Sequence, residues 1–343
     1  VSALLLAGCA AAPTATAPTK AAPKFLPCMV SDNGGFDDKS FNKLGLEGLQ
    51  AAAKSLGVSE KHVQSNTPDD YAPNIQSLVD ANCDLIITVG FNLSAATLAA
   101  AKAHPELKFA IIDDAADANF DGKTDLPNIK PILFDTAQAA FLAGYASASY
   151  SKTGVIGTFG GMKFPTVTIF MDGFKQGADY YNQQKGTDVK TIGTNLFAGV
   201  FAAGSKAKQT ANTLIAGNAD VILPVGGPIF QSAGAAIKDS KKDIVLLGAD
   251  ADVYDTFPTY DSLYFTSVLK GIKPATQAVI EEAVKGGLDN TPYIGTLKNN
   301  GVGIAPFHDF ASKVKPELQG ELDTIKADII SGKLVVKSYL NAG

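Results

Sequence analysis

The sequence predicts an α/β fold of two doubly wound parallel-sheet domains, and three observations carry that expectation. The chain has 343 residues, more than one domain of roughly 150 and enough for two separate cores. Short apolar runs rich in β-branched residues alternate along it with Ala-rich segments of helical periodicity. Nothing between the runs reads as a hairpin turn, so one strand reaches the next through a helix, which is the βαβ unit of a parallel sheet.

The elements follow in order. The chain opens Val1-Ser2-Ala3-Leu4-Leu5-Leu6-Ala7-Gly8-Cys9, an apolar run closed by small residues and a cysteine. Residues 1–9 resemble the tail of a bacterial lipoprotein signal peptide, with Leu6-Ala7-Gly8-Cys9 as its lipobox and Cys9 as the lipidated first residue of the mature protein. Residues 10–24 are almost entirely Ala, Pro and Thr, the composition of a flexible linker. An exported protein is expected, held at the outer face of a membrane by its lipid alone, since no other stretch offers ~18 apolar residues in a row. Strands are then expected at 25–30, 84–89, 108–112, 154–159, 221–225, 244–248 and 263–268. Helices are expected at 41–56, 95–103, 137–150, 167–181, 205–216, 274–285 and 316–331. The first lobe is assigned residues 25–135 plus about 252–290, and the second 136–251 plus about 291–343, so that the chain crosses between them three times.

Composition narrows the function. Lys and Arg number 29 against 34 Asp and Glu, a net charge of −5, so no basic field exists to hold a phosphate backbone and nucleic acid is excluded as a partner. The chain has 3 Cys and 3 His, none at zinc-ligand spacing, and neither a metal nor a cofactor is expected. His62, His104 and His308 stand apart from any Ser or Cys motif and are assigned no role. Cys28 and Cys83 each begin a predicted strand. In an exported protein they can form a disulfide if those strands are parallel neighbours, or remain two buried thiols acting as small hydrophobes.

Ligands of open parallel sheets collect beyond the carboxyl ends of the strands. There the sequence places Asp32, Gly90-Phe91, Gly160-Gly161, Gly226-Gly227 and Asp250, although Gly and Asp are also the ordinary residues of βα turns. The most informative loop is Ser31-Asp32-Asn33-Gly34-Gly35-Phe36-Asp37-Asp38-Lys39-Ser40-Phe41-Asn42. Its paired glycines free the backbone, Asp37 or Asp38 can cap the next helix, and Phe41 in the first helical turn can face either the core or a cleft.

This loop, together with Phe141-Leu142-Ala143-Gly144, Gly173-Phe174, Gly248-Ala249-Asp250-Ala251-Asp252, Thr266-Ser267-Val268-Leu269-Lys270 and the closing Ile330-Ser331-Gly332-Lys333-Leu334-Val335-Val336, resembles the basic membrane lipoprotein (Bmp/PnrA-like) family. These are substrate-binding lipoproteins of ABC importers and include purine nucleoside receptors. The resemblance covers essentially residues 25–340 and implies the type I periplasmic-binding-protein fold, a monomer delivering its ligand to a membrane permease, and no catalysis. It implies an aromatic sandwich around a nucleobase, Phe41 on one face and Phe201 on the other, with Phe91 in the cleft wall. Asp32, Ser40 and Asn42 are then suited to the base edge or to supporting the loop, and Asp250, Lys270 and Gly227 to the ribose. The chain departs from the family at Gln138, where an acidic residue is common and an amide implies a changed preference at the base edge. It departs again at Ala202, where many relatives have Asp.

Three other functions compete. A calcium-dependent nucleoside hydrolase would use Asp32, Asp37 and Asp38 as a metal loop, but that loop needs a further aspartate where Val30 stands. A repressor-type sensor of the same fold would need a helix-turn-helix before residue 25. A binding protein for a sugar or other small solute has the same architecture, because fold alone does not select the ligand.

Overall fold

The computed structural model describes residues 24–119 and 121–341. The lipobox, Cys9 and the linker apart from Lys24 lie outside the described residues. The strands are β1 (Pro27–Val30), β2 (Lys61–Val63), β3 (Leu85–Val89), β4 (Lys108–Ile112), β5 (Ile129–Phe134), β6 (Val155–Gly160), β7 (Lys190–Ile192), β8 (Val221–Val225), β9 (Val245–Asp250), β10 (Tyr264–Lys270), β11 (Tyr293–Gly295) and β12 (Val302–Ile304). The helices are α1 (Phe41–Leu56), α2 (Tyr71–Asp80), α3 (Ser94–Ala103), α4 (Thr136–Tyr150), α5 (Pro165–Lys185), α6 (Ser205–Ala216), α7 (Ile229–Ser240), α8 (Val253–Thr256), α9 (Ile272–Val284) and α10 (Leu318–Ile330).

They build two six-stranded sheets, ordered β11-β5-β4-β3-β1-β2 and β12-β10-β9-β8-β6-β7. Every pairing is parallel except that of β10 with β12. The strands next to one edge of each sheet, β1 and β6, are flanked on one side by β2 or β7 and on the other by β3 or β8, so strand order reverses beside each of them. A crevice opens at such a switch point. Here the chain that follows β1, β3, β6 and β8 carries Asp32, Gly90, Gly161 and Gly226.

The lobe boundaries expected near residues 252 and 291 do not match the strand pairing. β10 bonds to β9 in the second sheet, and β11 bonds to β5 in the first. The chain therefore stays in the second lobe through Lys270 and only then crosses to lay α9 on α1. It adds β11 as an edge strand to the first sheet and returns over residues 296–301. Close helix packing fixes α9 there: a Cβ at Gly48 of α1 would lie 2.6 Å from the Lys273 carbonyl oxygen. The same device joins α4 to α5. A Cβ at Gly144 would meet the Phe174 carbonyl oxygen at 1.9 Å, and one at Gly177 would meet that of Phe141 at 1.9 Å. The Phe-Leu-Ala-Gly and Gly-Phe motifs are thus the interdigitating surfaces of two helices whose backbones touch.

Local signals set the helix ends. Gly57 and Gly186 sit in the left-handed region (φ 68° and 64°) and stop α1 and α5, while Pro165 opens α5 at the position where its missing N–H costs nothing. β5 escapes the sequence pattern because Lys130 and Pro131 interrupt it. Lys130 is nonetheless buried there, 3.1 Å from Glu282 and 3.3 Å from Asp289.

Cys28 and Cys83 are joined in a disulfide, with their Cα atoms 6.0 Å apart. It ties the start of β1 to the turn entering β3, its hydrogen-bonded neighbour. The loop it closes spans 55 residues, so losing it frees considerable chain entropy in the unfolded state. The paired variant Cys28→Ser/Cys83→Ser is expected to lose about 2–4 kcal/mol of stability in denaturant titration; an unchanged midpoint would show that the bond constrains nothing.

Candidate ligand-binding site

The loop after β1 is held by its own side chains. Asp32 Oδ1 accepts from the Gly34 N–H and from Asn42 Nδ2, both at 2.8 Å, and Asn42 Oδ1 accepts from the Asp32 N–H at 3.2 Å. Of the two candidate caps, Asp38 does the capping: it accepts from the backbone N–H groups of Ser40 (2.9 Å), Asn42 (2.8 Å) and Lys43 (3.2 Å), while Asp37 is exposed and paired with Lys39. These bonds fix the first turn of α1 and with it the Phe41 ring. Gly90, with φ 102°, turns the chain close beside this loop: a Cβ there would stand 3.0 Å from Asp32 Oδ2 and in ordinary contact with the Phe41 ring.

On the opposite lobe Phe201 lies on a bed of glycine backbone. A Cβ at Gly161 would fall 2.4 Å from its ring, and one at Gly226 would fall 2.7 Å from it. Between the lobes runs a slot lined by Asp32, Phe41, Asn42, Phe91, Phe201, Gly227, Asp250 and Lys270 among others. Its free volume is about 60 Å³, far below the roughly 300 Å³ at which ligand pockets begin, so the lobes stand closed on one another. A roomier cavity of about 530 Å³ backs onto Asp250 and Lys270 from the α10 side, but no aromatic ring lines it.

Lys270, the last residue of β10, forms the floor of the slot. Its ammonium pairs with Asp113 of the first lobe and lies 3.4 Å from Asp250 Oδ1 of its own lobe. It also stands 5.1 Å from the Phe41 and Phe170 ring centroids. The Lys270 side chain is only 4% exposed, and the two carboxylates 7% each. Burial disfavours its charge, but Asp113 and Asp250 outweigh that and hold the amine above its ordinary value. Burial pushes Asp113 up to about 6 despite the ammonium beside it. Asp113 and Asp250 both adopt left-handed backbone (φ 64° and 70°), a conformation that Asp tolerates better than most residues.

Eight of the ten residues expected to bind ligand line the slot, and two do not. Ser40 is fully buried, and its hydroxyl donates across the lobes to the Ala249 carbonyl at 2.9 Å, with Asp250 Oδ2 at 3.5 Å. It is a lobe-to-lobe contact. Gln138, expected at the base edge, donates to Asp135 Oδ2 (2.8 Å) and accepts from the Leu297 N–H (3.0 Å). It sits at the hinge because α4 begins at the first crossover, and it pins that crossover to the third. Ala202 is exposed. Phe91 closes the slot edge-on, its ring centroid 3.9 Å from that of Phe164 on the other lobe and 5.8 Å from that of Phe201. Asp113, Phe170 and Thr166 were missed. Asp113 follows a predicted strand, as Asp250 does, and the same strand-end rule points to it.

Burial pushes Asp32 up to about 6, with the Asp38 carboxylate adding to the effect and the Gly34 N–H and Asn42 amide opposing it. A carboxyl raised in the fold from 3.8 destabilises it once ionised; the penalty is absent below about pH 4, grows up to pH 6 and is complete above that. Asp32→Asn is therefore expected to melt higher than the parent protein near pH 7.5 and to lose that advantage near pH 4, as read by thermal melts at the two pH values. An advantage equal at both would refute the assignment.

A family model described as ABC transporter substrate-binding protein PnrA-like matches residues 25–338. The chain is 28% identical to the ABC transporter nucleoside-binding protein BmpA of Lactococcus lactis, over 98% of this chain and 96% of that one. It is 30% identical to basic membrane protein A of Borreliella burgdorferi, over 89% and 86%. Among solved structures, a solute-binding protein of an ABC transporter system from Aeropyrum pernix superposes with a TM-score of 0.78 at 24% identity, covering 91% of this chain and 94% of that one. That likeness bears on the fold alone; with the family model matching residues 25–338, the chain belongs to the PnrA-like family of ABC transporter substrate-binding proteins.

Proposed function

We propose that this substrate-binding protein takes nucleosides, purine nucleosides above all, between its lobes and presents them to an ABC permease, without covalent chemistry. The observation that carries the reading is the pairing of Phe41 from one lobe with Phe201 from the other across a slot whose floor is Lys270 between two carboxylates. Each aromatic face stacked on a base contributes on the order of 1–3 kcal/mol, and a bicyclic base covers more ring than a monocyclic one. Base identity is left to polar groups, with Asp32 at the slot wall acting as an acceptor. Asp250 Oδ1 is buried and takes no hydrogen bond, so it can accept from a pentose hydroxyl. The Lys270 ammonium stands 3.4 Å from that oxygen, and Gly227 lets the backbone approach the sugar. The name of the Lactococcus lactis relative agrees with this ligand class.

Binding then works through closure. Ligand contacts from both lobes favour the closed form, which is the shape the permease reads. In this account Cys9 carries a lipid, the linker spaces the receptor from the extracytoplasmic face of the membrane, and the receptor acts as a monomer.

Mass spectrometry of small molecules released on denaturing the purified protein tests the class. An intact nucleoside is expected; a free base with ribose would instead mark a hydrolase. In calorimetry Phe41→Ala is expected to weaken nucleoside binding by at least about tenfold while the protein stays folded. Unaltered affinity would remove the stacking role. Asp250→Ala is expected to weaken ribonucleoside binding while sparing the free base, and equal losses for both would contradict the ribose assignment.

A further inference from the structure

Among the described residues, two buried side-chain atoms in the wall of the slot have no hydrogen-bond partner. One is Asp250 Oδ1, already assigned to the sugar. The other is the hydroxyl of Thr166, the second residue of α5. Six other buried side-chain atoms among the described residues also lack a partner, but none of them lines the slot, and a buried hydroxyl left unpaired there gains a hydrogen bond when a ligand brings one.

The chemistry of the slot makes this hydroxyl distinctive. Its carboxylates, Asp32, Asp38, Asp113 and Asp250, can only accept hydrogen bonds when ionised. Its obvious donors are occupied: the Asn42 amide serves Asp32 and Asp38, at 2.8 and 3.1 Å, and the Lys270 ammonium serves Asp113 and neighbours Asp250. A ligand meeting only these side chains would have its hydroxyls and N–H groups satisfied and its ring nitrogens and carbonyls stranded. Thr166 has a donor to give, and its place at the N-terminal turn of a 21-residue helix keeps it well positioned. Val167 beside it packs into the core, and a Cβ at Gly160 would lie 2.7 Å from Val167, so the turn has no room to shift.

We infer that Thr166 Oγ1 donates a hydrogen bond to an acceptor atom of the bound nucleoside and so selects ligands that carry an acceptor at that point. This rests on the nucleoside reading above. Asp250 and Thr166 then form a complementary pair, one accepting from the ligand and the other donating to it. As the lobes part to admit a heterocycle and close over it, the hydroxyl exchanges an unpaired state for a paired one.

The test compares Thr166→Val, which keeps the shape and removes the hydroxyl, with Thr166→Ser, which keeps the hydroxyl. Each is titrated calorimetrically with inosine, guanosine and adenosine and melted without ligand. The valine variant is expected to bind at least one of the three about tenfold more weakly and to melt no lower than the parent, while the serine variant stays within about threefold. Unchanged affinity of the valine variant for all three overturns the role of Thr166 and leaves the nucleoside reading standing. A valine variant that melts lower in proportion to its loss of affinity overturns it too, because the hydroxyl would then be structural. Failure of the parent protein to bind any of the three nucleosides overturns the nucleoside reading and this inference with it.

Discussion

The ammonium of Lys270, shut between the carboxylates of Asp113 and Asp250, is the interaction on which the rest of the molecule depends. One carboxylate belongs to the first lobe and the other to the second, so the charge triad exists only when the lobes are together. A buried ion pair gains little over a well-packed apolar core, yet leaving either partner alone costs on the order of 3–5 kcal/mol. The triad is thus a poor source of stability and an effective switch: it favours one geometry of the lobes and penalises those near it. It also sets the character of the slot, placing positive charge beside the Phe41 and Phe170 rings.

The scaffold serves that geometry by being stiff everywhere except at the crossings. Backbone-to-backbone packing of α4 on α5 through Gly144 and Gly177, and of α1 on α9 through Gly48, leaves no slack within a lobe. Motion is left to the three segments between lobes, where Gln138 ties Asp135 to Leu297 and so couples the first crossing to the third. Ser40, with its hydroxyl on the Ala249 carbonyl, reports closure next to the site itself. Residues that look like ligand contacts in the sequence can in this way turn out to govern how the lobes meet.

What was legible in the sequence follows from which forces act locally. Buried parallel strands read as apolar runs because both faces are covered, and α1 and α6 have the bounds that their periodicity predicts. The Asp32–Asn42 loop was legible because turn chemistry and capping are short-range. β5 was hidden by Lys130, whose charge is neutralised by Glu282 and Asp289 more than 150 positions away. The lobe membership of β10 and β11 was out of reach, since an apolar run does not say which sheet it will join. Phe201 could be suggested only by resemblance, because its bed of Gly161 and Gly226 comes from two separate turns. Gln138 was misread for the same reason: its partners, a crossover carboxylate and a distant N–H, are tertiary facts.

The most direct test of the account is a crystal structure of the protein saturated with a purine ribonucleoside. The account predicts the base between Phe41 and Phe201, Lys270 still bonded to Asp113 and beside Asp250, and a ribose hydroxyl on Asp250 Oδ1. A nucleoside lodged elsewhere, or a Lys270 swung clear of Asp113 with the lobes closed around the ligand, would contradict it.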